Sequence, residues 1–256
     1  MNRVTGLLYG FFTYVLFLAV FLYAVGFIGN IFVPRSIDSL PNVPLTQALL
    51  INFGLLGLFA IQHSVMARPV FKRWVTRFIP VSMERATYSL ASSLCLIALF
   101  AFWEPMGGLV WSIGNPLGVG LMWSGFALGW LIVLVCTFLI NHWDLFGLRQ
   151  VWLNFRNRPY TPVDFKLPYA YQVVRHPMYV GWFLAFWCTP VMTVAHLVFA
   201  IATSAYILIA IQLEERDLMD AHPEYRHYRK QVPMILPYTR KRLQKAAFTR
   251  AVESAA

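Results

Sequence analysis

The chain has 256 residues, 59% of them hydrophobic and only 12% charged, where soluble domains run to about half apolar and about a quarter charged. A mean hydropathy of +0.58 excludes a soluble globule, a disordered chain and a collagen-like fibre. The net charge of +10 does not signal nucleic acid, because Lys and Arg fall in loops between apolar stretches and form no aromatic-interleaved basic face.

Five stretches lack Asp, Glu, Lys and Arg: Val4–Pro34, Ser39–Ala67, Ala86–Trp103, Pro105–Trp143 and His176–Leu213. Together they make up more than half the chain. About 20 apolar residues cross a hydrocarbon core, so spans are predicted near 8–30, 47–66, 86–103 and 118–141. The first is too long for the apolar core of a signal peptide and is read as a retained span. The fifth stretch has 38 residues, with Thr189-Pro190 near its middle. Proline breaks or kinks a helix, which leaves one strongly tilted helix or a tight hairpin.

Charge decides between them. With the N-terminus inside, the loop with Arg68, Lys72, Arg73, Arg77 and Arg85 is cytoplasmic. So is the loop with Arg149, Arg156, Arg158, Lys166 and Arg175. A single last crossing would export Arg216, Arg226, Arg229, Lys230 and the Arg240–Lys245 cluster. A hairpin keeps them inside and leaves only Arg35, of 21 basic residues, outside. The expected fold is therefore all-α and polytopic, with four full transmembrane helices plus a C-terminal helical hairpin, five to six spans in all. Both termini are expected to be cytoplasmic. One membrane-embedded domain is expected over 1–256: N-terminal spans 1–141, a C-terminal core 142–240, and a basic tail 241–256 that is interfacial or frayed.

Cys95, Cys136 and Cys188 each sit in an apolar stretch, odd in number and without a CxxC, so they read as small buried hydrophobes. No His/Asp/Glu spacing suggests a metal site, and no GxGxxG or P-loop pattern suggests a Rossmann cofactor or nucleotide hydrolysis.

The polar residues that remain gather at the predicted cytoplasmic ends of the spans: Gln62-His63, Asn141-His142-Trp143-Asp144, the run Tyr171 to Tyr179, and Glu214-Glu215-Arg216-Asp217. Such a gathering is a site hypothesis in a membrane protein. Pro177 suits a helix start, Tyr179 falls three residues after His176 on one face, and Gly181 lets a second backbone or a ligand approach. Glu214 and Glu215 sit where a helix C-terminus disfavours acid. Their natural partners are Arg175 and His176, at the start of the same hairpin. A zwitterionic ligand would find cations for a carboxylate, Glu for an ammonium or ribose hydroxyls, and aromatic faces for a sulfonium. That is the polarity of S-adenosylmethionine. His63 has a packing explanation as well as a functional one, Asp144 beside His142 suggests a paired acid, and His196 is placed at the external turn as inert.

Arg175-His176-Pro177-Met178-Tyr179-Val180-Gly181, Glu214-Glu215, Tyr225 to Pro233 and Leu236-Pro237 resemble the C-terminal half of isoprenylcysteine carboxyl methyltransferases. Gly29 to Asp38, Ile61-Gln62-His63-Ser64 and Asn141 to Gln150 resemble the bacterial methanethiol S-methyltransferases. The resemblance covers about residues 25–240 and implies an enzyme of the bacterial inner membrane. It further implies methyl transfer from S-adenosylmethionine to methanethiol, giving dimethyl sulfide. Tyr171, Arg175, His176, Tyr179, Glu214 and Glu215 would form the cofactor site, with Pro177 and Gly181 shaping it. Asp144 or His142 would take the thiol proton, with Arg149 orienting the acid and His63 in reserve. Membrane lipids and the thiol are the expected partners, with no nucleic acid and no obligate protein partner. Three rivals stand beside this reading: methylation of a larger lipid or isoprenoid thiol or carboxylate, a sterol-type reductase, and a non-enzymatic protein of the nitrite/NO-related type.

Overall fold

A computed structural model describes residues 2–162, 168–221 and 223–237. Lys166, His222 and the basic tail 241–256 lie outside the described residues. Among the described residues five helices are long and apolar enough to cross a membrane: α1 (Arg3–Gly29), α2 (Leu45–Ala67), α4 (Glu84–Phe102, with a 3₁₀ turn Val81–Met83 leading in), α5 (Pro116–Ile140) and α10 (Val194–Ala221). Shorter helices fill the ends: α3 (Pro69–Val75), α6 (His142–Leu145), α7 (Leu148–Phe155), α8 (Tyr169–Val173), α9 (Pro177–Trp187) and α11 (Tyr225–Gln231). The all-α polytopic expectation holds.

The boundaries follow local chemistry. Asn2 and Asn115 accept from Val4 N and Gly118 N and so cap α1 and α5. Proline takes the first position of α3, α5 and α9, where its missing N–H costs nothing. Asn30 ends α1 in the left-handed region at φ 55°. The predicted spans fall within a few residues of the observed ones. The last stretch is a hairpin with unequal arms: α9 has 11 residues, about 16 Å of rise, against about 30 Å of hydrocarbon. The arm stops at Cys188, before Thr189-Pro190.

One feature of the turn was not expected. Two short strands, β1 (Leu109–Ser112) and β2 (Val191–Thr193), pair antiparallel, Leu109 opposite Thr193 and Ser112 opposite Val191. The pairing ties the α4–α5 connection to the hairpin turn and satisfies backbone groups at that end.

The helices close into a ring: α2 packs on α4, α4 on α1, α1 on α7, α7 on α6, α6 on α5, α5 on α9, α9 on α10, and α10 back on α2. The α5–α9 contact is the tightest. A Cβ on Gly129 would lie 2.5 Å from Ala185 N, and one on Gly181 would lie 2.7 Å from Gly129 O. Small residues at such crossings let apolar helices approach to backbone contact in lipid, where no hydrophobic force drives them together.

The two ends of the ring differ. One is filled with aromatic rings, including Phe27, Phe100, Trp103, Phe126, Trp130, Phe186 and Phe199. Arg35 is at this end, donating to Trp103 O at 2.9 Å and paired with Glu104 at 3.3 Å. Asp38 here receives hydrogen bonds from Asn30 and the Thr193 hydroxyl. His196 is fully buried, its Nε2 2.9 Å from Phe186 O and its Nδ1 3.8 Å from Asp38. The other end carries the rest of the described basic residues and the candidate site.

Candidate functional site

Three polar groups occupy that second end. The first joins α9, α10 and α11. Proline at its first position starts α9 just after Arg175-His176, and Arg175 N and His176 N donate to Pro233 O and Met234 O at 2.9 and 3.1 Å. The C-terminal segment is thereby laid along the entrance of the hairpin. Arg175 Nε donates to Glu215 Oε1 at 2.6 Å, and His176 Nε2 lies 3.0 Å from the same oxygen. Arg229 Nε is 2.9 Å from Oε2 but off the hydrogen-bonding direction, so that contact is ionic. The Arg175 guanidinium also donates to Arg229 O and Val232 O.

Glu215 is therefore sealed: its side chain is 2% exposed and is surrounded by Arg175, His176, Arg229 and Tyr225. Two cations answer the burial cost of one carboxylate. Glu214, one residue earlier and on another face of α10, is 45% exposed. It accepts from the Tyr179 hydroxyl at 3.0 Å and stands 3.8 Å from His176 Nδ1. Tyr171, on α8, is anchored through its carbonyl to the Tyr228 hydroxyl. Burial, with Cys136 and Glu214 nearby, pushes the Tyr171 phenol up, so it remains a neutral donor. All six expected cofactor-site residues thus meet in one place, and Gly181 meets a second backbone.

The second group is the α5–α7 corner. Asn141, at φ 158°, ends α5 and caps α6 through a bond from Asp144 N. His142 is buried, with Tyr14 OH at 2.8 Å from Nε2, Thr137 Oγ1 at 2.7 Å from Nδ1, and the Phe138 ring stacked at 4.2 Å. Burial pushes its imidazole down and keeps it neutral. Asp144 points elsewhere. It accepts from Arg149 at 2.9 Å and from Tyr160 OH at 3.2 Å, while Arg149 also grips Thr161. The expected Arg149–Asp144 pair is present, but His142 and Asp144 share no hydrogen bond. An open, largely apolar groove of about 690 Å³ runs beside this corner, between Leu7, Leu8 and Phe11 of α1 and Trp143 and Trp152.

The third group centres on His63. Its ring stacks on Phe59, Tyr88 OH lies nearly equidistant from the two ring nitrogens, 2.9 Å from Nε2 and 3.0 Å from Nδ1, and Ser92 Oγ lies 3.2 Å from Nδ1. The neighbouring Ser64 bonds Tyr206 OH at 3.0 Å. Tyr206 belongs to α10, the helix that carries Glu214 and Glu215 two turns further on. Sequence reasoning missed Tyr88, Tyr206 and Arg229. For Tyr88 the available signal was a run of hydroxyls, Thr87-Tyr88-Ser89 and Ser92-Ser93, inside an otherwise apolar span.

Among the described residues no group of His, Cys, Asp and Glu could hold a metal ion. No family model and no solved structure matches the chain. Among curated proteins, the methanethiol S-methyltransferase of Crocosphaera subtropica is 60% identical over 243 residues, 94% of this chain and 95% of that protein. The methanethiol S-methyltransferase of Mycobacterium tuberculosis is 49% identical over 239 residues, 93% and 98% of the two chains. Nurim of Xenopus laevis is 28% identical over 192 residues, 70% of this chain and 66% of that protein. Identity at this level along nearly the whole of both chains, with the motif residues assembled at one end of a helical ring, places the protein in the methanethiol S-methyltransferase family.

Proposed function

We propose that this protein transfers a methyl group from S-adenosylmethionine to methanethiol, releasing dimethyl sulfide. The observation that carries the proposal is 60% identity over 94% of the chain to a protein named for that acceptor. When bound, S-adenosylmethionine supplies a methyl group on a cationic sulfur, open to in-line displacement by a sulfur lone pair.

The residues present suit that donor. Glu214 offers a carboxylate that is half exposed and oriented by Tyr179, the chemistry needed for an ammonium or for ribose hydroxyls. Tyr171 adds a neutral phenol and His176 its Nδ1 edge. Arg175 and Glu215 neutralise each other out of solvent, so we assign them to holding α9, α10 and α11 in register around the site. Pro177 fixes the start of α9, and Gly181 sets how closely α5 approaches. We assign His142, Asp144 and Arg149 to holding the α5–α7 corner, since their polar atoms are engaged there.

Rate acceleration then comes from alignment of donor and acceptor and exclusion of water from the site. The thiolate is the true nucleophile, so a proton acceptor is also required. Both termini lie on the cytoplasmic side of a bacterial inner membrane in this proposal, supported by the concentration of Lys and Arg at one end.

A second acceptor class has one observation in its favour. An apolar groove of about 480 Å³, lined in part by Cys136, Tyr169, Val173, Pro177 and Val180, opens beside the α8–α9 corner and suits an acyl or prenyl chain. Purified protein given methyl-labelled S-adenosylmethionine and a panel of thiols tests both. Label in volatile dimethyl sulfide supports the proposal; label only in a long-chain lipid thiol transfers it to the second class. Donor binding without turnover of any acceptor overturns both.

A further inference from the structure

The open groove beside the α5–α7 corner is unused by the proposed reaction. Gly10 lets α7 lie against α1, since a Cβ there would sit 2.5 Å from Val151 Cγ2. Gly147 seats the start of α7 on the start of α4 in the same way, 2.5 Å separating its would-be Cβ from Ala86 N. The helix is thereby fixed at the feet of two spans. The groove that opens there, about 690 Å³, is within the about 300–1,000 Å³ that takes small ligands. Leu7, Leu8 and Phe11 wall it on one side and Trp143 and Trp152 on the other. Both tryptophans are exposed, and exposed tryptophan at the end of a span marks the headgroup level. The rim is cationic. Arg3 stands one turn before Leu7 on the same face of α1. Arg156, one turn after Trp152, lies over the Trp152 ring at 5.8 Å. Both arginines are exposed, and among the described residues neither is paired with a carboxylate. Arg149, also on the wall, is committed to Asp144 and Thr161. An apolar slot at headgroup level is thus topped by two positive charges without a protein counter-ion.

We propose that this groove holds one anionic phospholipid, with an acyl chain along Leu7, Leu8 and Phe11 and the phosphate between Arg3 and Arg156. Charge complementarity selects that occupant. A zwitterionic headgroup would bring its own ammonium against the two guanidinium groups, and a second protein helix would have to bury both cations unpaired. The planar guanidinium fork takes two phosphate oxygens at once. Stacking on Trp152 holds Arg156 beside the slot before the lipid arrives, and the flexible Arg3 stem can follow the apolar wall while its head reaches the headgroups. Lipid binding here is independent of methyl transfer, and its readout is contact rather than turnover.

The test places full-length protein in mixed vesicles of phosphatidylcholine and phosphatidylglycerol, one or the other carrying brominated chains that quench tryptophan on contact. A Trp74→Phe background removes an exposed tryptophan beside Lys72 and Arg73. At equal mole fraction, brominated phosphatidylglycerol should quench more than brominated phosphatidylcholine, and Trp143→Phe with Trp152→Phe should remove that excess. Arg3→Gln with Arg156→Gln should weaken the preference for phosphatidylglycerol by about 25-fold, roughly fivefold for each cation, and leave the melting temperature unchanged. Added inorganic phosphate should not relieve the quenching. Equal quenching by the two lipids overturns the site, as does an excess that survives loss of either the two tryptophans or the two arginines. Relief by inorganic phosphate would show a free-anion site and overturn the lipid assignment.

Discussion

Arg175 and Glu215, forty positions apart, meet at 2.6 Å with side chains only 9% and 2% exposed. Adjacent Glu214 is 45% exposed and bonded to Tyr179. Two neighbouring carboxylates therefore have different work. Glu215→Gln should strand Arg175 without its counter-ion, at a cost of about 3–5 kcal/mol; Arg229, more exposed, adds little. Glu214→Gln should change stability by under about 1 kcal/mol yet weaken S-adenosylmethionine binding by about tenfold or more, the effect of losing a charged hydrogen bond. Thermal unfolding in detergent and calorimetric titration separate the two, and reversed phenotypes would refute the division.

The α5–α9 crossing gives a second prediction. Gly181→Ala forces a methyl group to within 2.7 Å of Gly129 O and should cost about 1–3 kcal/mol through overpacking. Gly57→Ala meets no atom within 4 Å and should be neutral or stabilising. Equal melting temperatures for the two variants would show that the close approach is not maintained in the membrane protein.

At the opposite end, Asp38 is tied to Asn30, Thr193 and His196. Burial pushes its carboxyl up, but the His196 imidazole, the Thr193 hydroxyl and the Asn30 amide together outweigh it and hold the pKa below the ordinary 3.8. A depressed carboxyl stabilises the fold above its unfolded value and loses that contribution as pH falls through the folded one. The wild-type protein should therefore lose stability below about pH 4, and Asp38→Asn should be weaker at neutral pH with a shallower acid limb. Superimposable acid limbs would remove the coupling between this loop and the hairpin turn.

The α5–α7 corner should be mechanically important and chemically quiet. Asp144→Asn and His142→Gln are expected to slow methanethiol turnover by much less than the hundredfold or more of a lost general base. Asp144→Asn should nonetheless lower the melting temperature, because Arg149 then loses its carboxylate. A hundredfold rate loss at Asp144 with unchanged stability would return the thiol proton to this corner.

The ladder of apolar stretches was legible because lipid demands long runs without charge, and a run without Asp, Glu, Lys or Arg needs no knowledge of neighbours. The hairpin was legible for the same reason: charge on either side of His176–Leu213 forbids a single crossing. Even the partners of Glu214-Glu215 followed, since two carboxylates at a helix C-terminus need cations and the hairpin returns them to Arg175 and His176. Gly181 was legible as a close approach, though not that the approaching backbone is Gly129.

Other features had no local signal. His142 and Asp144 are two residues apart, yet Asn141 breaks the helix between them and α5, and their side chains enter different surroundings. Tyr88 looks like any tyrosine in a span until α2 sets His63 against it. β1 and β2 are short, and neither pairs within its own neighbourhood of the chain. What the sequence alone determined is where this chain can sit in lipid and which polar residues must share an end, because solvation and charge act residue by residue. Only the tertiary structure decided that Glu215 is sealed while Glu214 is open. These two outcomes, the sealing of Glu215 and the opening of Glu214, depend on which helix closes the ring against which, a choice made by packing between residues far apart in sequence.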